Sequence, residues 1–469
     1  MPSKEIIEKS EKELFKLMFP VSSPVVKEAC EILSDLIKID TTNPPGNETP
    51  AAEYCKRLLE KEGFENIEII ESEPRRGSII CRWKGSDPNA KNLLLLAHLD
   101  VVPADPTNWE RDPFCGDITD QYIWGRGALD CKGILVPELM AAVYLKREGY
   151  NPKGDIVLCF TADEEAGGEL GVGYLIKNHF DKVNVDYVIN EGGGFLLPFG
   201  KDSRDYVAQI GEKGVAETKI RVKGIGGHGS MPLKPDDNAL YVLSKVIQRI
   251  AKFKPPIEIQ DSIKETAKKI SLPGIVKKIL TSKRLIRPAL NLAGKLFKQP
   301  LSKLIIPLVS DILNPTLLNA GKKVNVIPQY AEMTFDCRIL PGHDRETIKG
   351  YLRKALGKKL FNKIEIIPIE PTQLATINSS KDLFYDLIEE IMNEMHSGAN
   401  IVPMLSSGSC DTKFFRSKGI YCLGFIPLRL DPNMSFSEFI ELEHGTGERM
   451  WIPNLSYGIE FCLRLIKRF

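Results

Sequence analysis

Residues 93–100, LLLLAHLD, constrain this chain more than any other stretch. A wholly apolar run too short for an ordinary helix, bounded by Asn92 and Pro103, reads as a strand buried on both faces. The run ends in His98 and, two residues on, Asp100. Ligands of open α/β sheets gather at the carboxyl ends of strands, and period-two alternation turns these two side chains to the same side. A histidine that binds metal needs a partner on its other ring nitrogen, and an aspartate two residues away can supply it. A strand that simply ends in polar residues would look the same at this one place, so the rest of the chain has to decide.

The pattern recurs. DIVLCFTADEEAGG runs from an apolar strand straight into Glu164 and Glu165, and VDYVINEGGG ends in Glu191. Adjacent glutamates diverge if the chain is still extended, and like charges so close call for a cation or a shared proton. Between these strands IWGRGALDCKG sets Asp130 between Gly127 and Gly133, just before a helical segment; an N-cap or Asx turn is the competing reading for Asp130. His444, in ELEHGTGERM, is the last candidate ligand. His179, His343 and His396 fall in contexts that read as surface helix or turn and receive no role. The ten cysteines include no CxxC pair and suit reduced, mostly buried thiols of a cytosolic protein. Any metal must therefore be held by His, Asp and Glu.

At 469 residues the chain is too long for one hydrophobic core. Helical periodicity in 25–40, in AAEYCKRLLEKEGF and after Gly133 alternates with strands, which predicts an α/β domain with a mostly parallel mixed sheet flanked by helices. From about Gly211 the texture changes. Alternating strand pairs (KGVAETKIRVKGIGGHGSMP, KKVNVIPQYAEMTFDCRIL, IEIIPI) and two helices suggest an inserted α+β lid or dimerisation domain. The expected division is 1–210 and 373–469 for the catalytic α/β domain and 211–372 for the insert. Within it, residues 251–320 carry 13 Lys and Arg against 4 Asp and Glu, a local charge of +9. This stretch reads either as a helical cap burying its own apolar face or as a segment touching anionic membrane surface. The whole chain is formally +1, which gives no reason to expect nucleic acid. No segment has the apolar core of a signal peptide or the length of a membrane span, so the expected location is cytoplasmic.

Taken in order, AHLDVVP, GRGALDCKG, TADEEAGG, NEGGG, GGHGSMP, NVIP, DCRILPG, GSCDTKFF and EHGTGE resemble the zinc-dependent aminoacylase, carboxypeptidase and desuccinylase superfamily of dinuclear metallohydrolases. Within it the chain is most similar to carboxypeptidase S and the N-fatty-acyl amino acid hydrolases. The resemblance implies two Zn2+ per chain, with Co2+ or Mn2+ able to substitute. His98, Asp130 and Glu191 would hold one ion, Asp130, Glu165 and His444 the other, and a cis peptide would follow Asp130. Asp100 would orient His98, Glu164 would be the general base, and His228 would stabilise the oxyanion. Asn325, Arg338 and the Asp411–Lys413 segment would contact substrate. Here the chain departs from the family: Lys413 stands where an arginine is usual, and lysine cannot reproduce a bidentate guanidinium clamp.

The expected reaction is hydrolysis of an amide or peptide bond next to a free carboxylate, in an N-acyl-amino acid or a short peptide with an apolar acyl side. A dipeptidase or a succinyl-diaminopimelate-type deacylase is the alternative. A non-catalytic binding protein is a third reading, disfavoured because every ligand and base position is filled and buried carboxylates without a cation are costly. The subunit state, monomer or homodimer, is left open, as is whether His228 serves its own chain or a partner's.

Overall fold

The protein is described by a computed structural model covering residues 19–197, 204–297 and 301–469. The Leu93–His98 strand is buried along its whole length. It lies between Ile156–Thr161 and Tyr187–Asn190 and runs parallel to both, with His98 in register with Thr161. Its apolar character on both faces follows from what covers it. Leu93, Leu95 and Ala97 pack on one side with residues of the helices Pro24–Lys38, Lys132–Arg147 and Ile452–Ile466. Leu94 and Leu96 pack on the other, with Val172 and Leu175 of Val172–Asn178 and Phe415 of Thr412–Ser417.

The nine-stranded sheet containing this strand runs Ile67–Glu71, Gly77–Trp83, Ile156–Thr161, Leu93–His98, Tyr187–Asn190, Tyr421–Gly424, Asp205–Glu212, Thr376–Ile377, with Asn400–Ser406 also on Asp205–Glu212. The sheet is mixed and flanked by helices, as expected, with its parallel pairings concentrated at the centre. Four of its strand pairings are parallel, three of them at the centre, and four are antiparallel. Ile67–Glu71 and Gly77–Trp83 are joined by a short turn, and a hairpin can only be antiparallel. The parallel centre is the part that matters for the site, because it sends the carboxyl ends of three buried strands in one direction.

A five-stranded antiparallel sheet carries the second unit: Ile312–Ala320, Tyr330–Ile339, Thr218–Lys223 and Ile364–Pro368, with Gly214–Val215 on Tyr330–Ile339. Thr218–Lys223 alternates buried and more exposed positions, as a sheet with one covered face requires. The covered face meets the helices Ala239–Lys252 and Arg345–Phe361 around Ile220, Val222, Val246, Phe335 and Leu352.

The helical stretch expected over 251–320 ends earlier. Helices Asp261–Lys269, Gly274–Leu280, Ile286–Phe297 and Leu301–Val309 are followed by Ile312–Ala320, an edge strand. Pro315 disfavours a helix there and is tolerated at a sheet edge, where the register shifts between Pro315 and Leu317. The helices close on a small core of Ile257, Ile263, Ile286, Leu290 and Val309, while Ile275, Leu285 and Leu292 stay exposed. Lys213 ties this segment to the large sheet, its buried ammonium donating to the carbonyls of Pro307 and Ser310 at 3.0 and 2.7 Å. Among the described residues no helix is long and apolar enough to cross a membrane. Two histidines read as surface residues are not free. His396 is buried with Nδ1 2.9 Å from the Tyr206 hydroxyl, and His343 Nδ1 lies 2.6 Å from Asp311.

Candidate metal centre

Three parallel strands end within reach of one point, and the loop after Gly127 brings a carboxylate between them. His98 Nε2 lies 2.8 Å from Asp130 Oδ1 and 3.5 Å from Glu191 Oε2. The other oxygen of Asp130, Oδ2, is 3.0 Å from His444 Nε2, which in turn is 3.4 Å from Glu165 Oε2. One carboxylate therefore faces two half-sites, His98 with Glu191 on one side and His444 with Glu165 on the other.

Asp130 is fixed from behind. Its backbone N–H and that of Leu129 donate to Glu448 Oε1 at 3.1 and 2.8 Å. Glu448 is buried and paired at 2.6 Å with Arg126, which also donates to the carbonyl of His444. The two halves of the site, GRGALD and EHGTGE, are thus stitched together by an ion pair between their own motifs. The competing cap reading of Asp130 falls away, since the helix begins at Lys132 with Cys131 at its cap position and no side-chain cap bond. The Asp130–Cys131 peptide is cis.

Glu164 and Glu165 do not stay extended. Asp163 takes a left-handed conformation at φ 75°, and Glu164–Ala166 form a 3-10 turn. Both glutamate N–H groups donate to the carboxylate of Asp100 at 3.1 Å. This refines the role expected of Asp100. Its backbone carbonyl is the nearer partner of His98 Nδ1, at 2.9 Å against 3.5 Å for the carboxylate. The carboxylate instead accepts from the N–H groups of the turn that carries the two glutamates, bonds that offset part of the cost of burying it.

The electrostatics describe a concentration of acid. Burial pushes Glu191 up to about 7 and Glu164 well above the usual carboxylate range. Hydrogen bonds from His444 and His98 overcome burial at Asp130 and hold it below that range. His444 is raised to about 10 by its bonds to Asp130 and Glu165; His98, which burial alone would lower, is raised by Glu191 and its other acidic neighbours. Glu165 Oε1 is buried with no hydrogen-bond partner among the described residues. Three sets of groups here lie within 4.8 Å of one another: His98, Cys131 and Glu191; His98, Asp130 and Glu165; Asp130, Glu443 and His444. Mixed imidazole and carboxylate donors with an orphaned carboxylate oxygen fit zinc-like divalent cations. Cys131 and Glu443 were not singled out from the sequence; each directly adjoins a candidate ligand, and that adjacency was their only signal.

The other candidates divide. Asp411 is buried, accepts from Thr161 at 3.0 Å, and is pushed by burial up to about 7. Lys413 is buried, with Nζ 4.9 Å from the ring centre of Phe414, and its charge opposes the upward shift of both Asp411 and Glu164. His228 is exposed, with Nδ1 2.7 Å from Ser230 Oγ. Asn325 adjoins it, accepting from Gly229 at 2.8 Å. Arg338 is bonded to Asp336 in the second sheet. Among the described residues no hydrogen bond or ion pair joins His228, Asn325 or Arg338 to the Asp130 cluster.

Three strand ends and two loops bring an aspartate, two histidines and two glutamates together in the manner of a metal-dependent hydrolase. The profile of peptidase family M20/M25/M40 matches residues 94–468, and the chain belongs to that family. It is a metal-dependent hydrolase of amide or peptide bonds. Similar proteins include a probable carboxypeptidase S-like 2 of Dictyostelium discoideum, 29% identical over 405 residues, covering 83% of this chain and 74% of that one. The N-fatty-acyl-amino acid synthase/hydrolase PM20D1 of Xenopus tropicalis is 26% identical over 463 residues, covering 94% and 86%. The M20 family metallo-carboxypeptidase Sso-CP2 of Sulfolobus solfataricus shares the fold with a TM-score of 0.70 at 21% identity, covering 94% of this chain and 98% of that one.

A cation bound only by the folded site stabilises it by mass action, by about 2.7 kcal/mol when free metal is 100 times its Kd. Thermal unfolding should therefore shift upward on adding zinc to metal-stripped protein, and Asp130→Ala should remove most of that shift. Equal shifts in the two proteins would place the binding elsewhere.

Proposed function

We propose that this protein hydrolyses the amide bond of N-acyl-amino acids or short peptides that carry an apolar acyl side and a free carboxylate. The observation that carries this is Asp130 with one oxygen toward each histidine, beside a glutamate, Glu164, that lies next to ligand candidate Glu165 but in none of the ligand sets. In this reading His98, Asp130 and Glu191 hold one zinc and Asp130, Glu165 and His444 a second. Bound divalent cations supply an acidified water and a polarised carbonyl.

Everything else falls to the chain's own side chains. Glu164, raised by burial, is suited to take the water's proton and return it to the leaving amine. Asp100 keeps Glu164 in place through its N–H, and the carbonyl of the same residue fixes the tautomer of His98. Lys413 gives the substrate carboxylate a point charge where a fork is usual, which predicts tolerance in how that carboxylate sits. The names of the two sequence relatives, one a carboxypeptidase and one acting on N-fatty-acyl-amino acids, agree on a free carboxylate beside the amide.

His228 has to reach this site from the second sheet, together with Asn325. We propose that a second copy of the chain delivers it. The support is the edge strand Ile312–Ala320, which leaves Leu317 and Leu318 exposed and its outer backbone unpaired in the described sheet. Exposed apolar edges of this kind are candidate surfaces for pairing with another chain.

The substrate reading is tested by comparing an N-acyl-amino acid with its methyl ester. The free acid should be cleaved and the ester much less, while Glu164→Gln should lose turnover by several orders of magnitude and keep its metal. Equal cleavage of acid and ester would remove the carboxylate requirement, and an active Glu164→Gln would remove the base. Delivery in trans has its own check. Mixing the two inactive variants Glu164→Gln and His228→Ala should restore activity through hybrid dimers, and a mixture as inactive as its parts would show that His228 serves its own chain.

A further inference from the structure

The loop TTNPPGNET, residues 41–49, has no part in the mechanism so far, yet it is built into the back of the catalytic turn. Arg76, on the turn between the first two strands, is buried and reaches into this loop, donating from Nη1 to the carbonyl of Pro45 at 2.7 Å and to Asn43 Oδ1 at 3.2 Å. Its Nη2 lies 2.6 Å from Asp163 Oδ1 and 3.0 Å from Glu48 Oε1. Asn43 carries the connection onward, donating from Nδ2 to Asp100 at 2.8 Å and to Asp163 at 3.3 Å. Asp163 closes the turn by accepting from Leu170 at 2.8 Å. Asn43, Glu48, Arg76, Asp100 and Asp163 are all buried.

The path from Arg76 to the reacting groups is therefore short. It runs directly to Asp163, the left-handed residue that starts the Glu164–Ala166 turn, and through Asn43 to the carboxylate that holds both glutamate N–H groups. Gly46, at φ 91°, shows how closely the loop is fitted: a Cβ there would stand 2.1 Å from Arg76 Nη1. A buried cation paired with two carboxylates is a weak way to stabilise a fold, since apolar residues of similar volume often do as well. It is a good way to fix carboxylates at defined positions.

We propose that Arg76, acting with Asn43, is a positioning residue that sets where Glu164 and Glu165 stand relative to His98. This rests on the metallohydrolase reading above. Among the described residues Arg76 makes no hydrogen bond or ion pair to a candidate ligand; it acts through Asp163, Asn43 and Asp100.

The experiment compares Arg76→Met, Arg76→Lys and Asn43→Leu with wild type, each loaded with cobalt. It measures kcat, KM, the visible absorption of the bound cobalt and the thermal midpoint. Partners of this kind are worth about 10–100-fold in activity or metal affinity. Arg76→Met and Asn43→Leu should lower kcat by about that factor, leave KM within about threefold, and change the cobalt spectrum well below their unfolding temperatures. Arg76→Lys should recover part of the loss, because one ammonium reaches one carboxylate but not the loop carbonyl and the amide as well. Should Arg76→Met fail to fold, Asn43→Leu still decides, as it removes the amide link with no change of charge. Wild-type kcat and wild-type spectrum in a folded Asn43→Leu overturn the proposal, as does a loss of kcat confined to temperatures at which the variant unfolds. If wild type itself cleaves no amide, the functional reading fails, whereas the spectrum still reports whether Arg76 and Asn43 shape the site.

Discussion

The carboxylate of Asp130, one oxygen toward His98 and the other toward His444, is the interaction on which the site depends. Carboxylates repel at this range, and a protein interior gives little screening. Asp130, Glu164, Glu165 and Glu191 can share one pocket only if something positive stands among them. The residue types and spacing suit divalent cations, for which the two imidazoles would serve as neutral ligands. Much of the surrounding structure serves to keep Asp130 in place. Glu448 holds its backbone, Arg126 holds Glu448, and the same Arg126 holds the carbonyl of His444.

The sheet makes this convergence affordable in conformational terms. Leu93–His98 and its two parallel neighbours are covered on both faces, so their carboxyl ends are rigid platforms rather than loops. His98 and the Asp163–Ala166 turn emerge side by side because His98 and Thr161 are in register. The chain must bend at once after Thr161 to bring Glu164 and Glu165 back over the site, and the left-handed Asp163 makes that bend. The buried network of Arg76, Asn43 and Asp100 then fixes a turn that has no sheet partner of its own.

Much of this was legible in the sequence, and for identifiable reasons. A buried strand is written as LLLLAH because both faces must be apolar, and ligands at strand ends are written as an abrupt switch from apolar to acidic residues. His98, Glu165 and Glu191 announce themselves in that way. What stayed hidden depends on contacts between distant segments. Nothing local marks Arg76 as the partner of Asp163, 87 residues on, or says that the carboxylate of Asp100 would face the turn while its carbonyl faced His98. Which strands of the mixed sheet run antiparallel was not legible, because period-two patterning is silent on strand direction. Ile312–Ala320 was taken for helix because a short apolar cluster fits either period, and only its pairing with Tyr330–Ile339 decides.

Asp130, with one oxygen toward each histidine, is proposed to serve two metal positions. Anomalous diffraction at the zinc edge, from crystals of the zinc-loaded protein, tests this most directly. Two peaks are expected, one beside His98 and Glu191 and one beside Glu165 and His444, with Asp130 between them. A single peak, or two peaks of which neither borders Asp130, would contradict it.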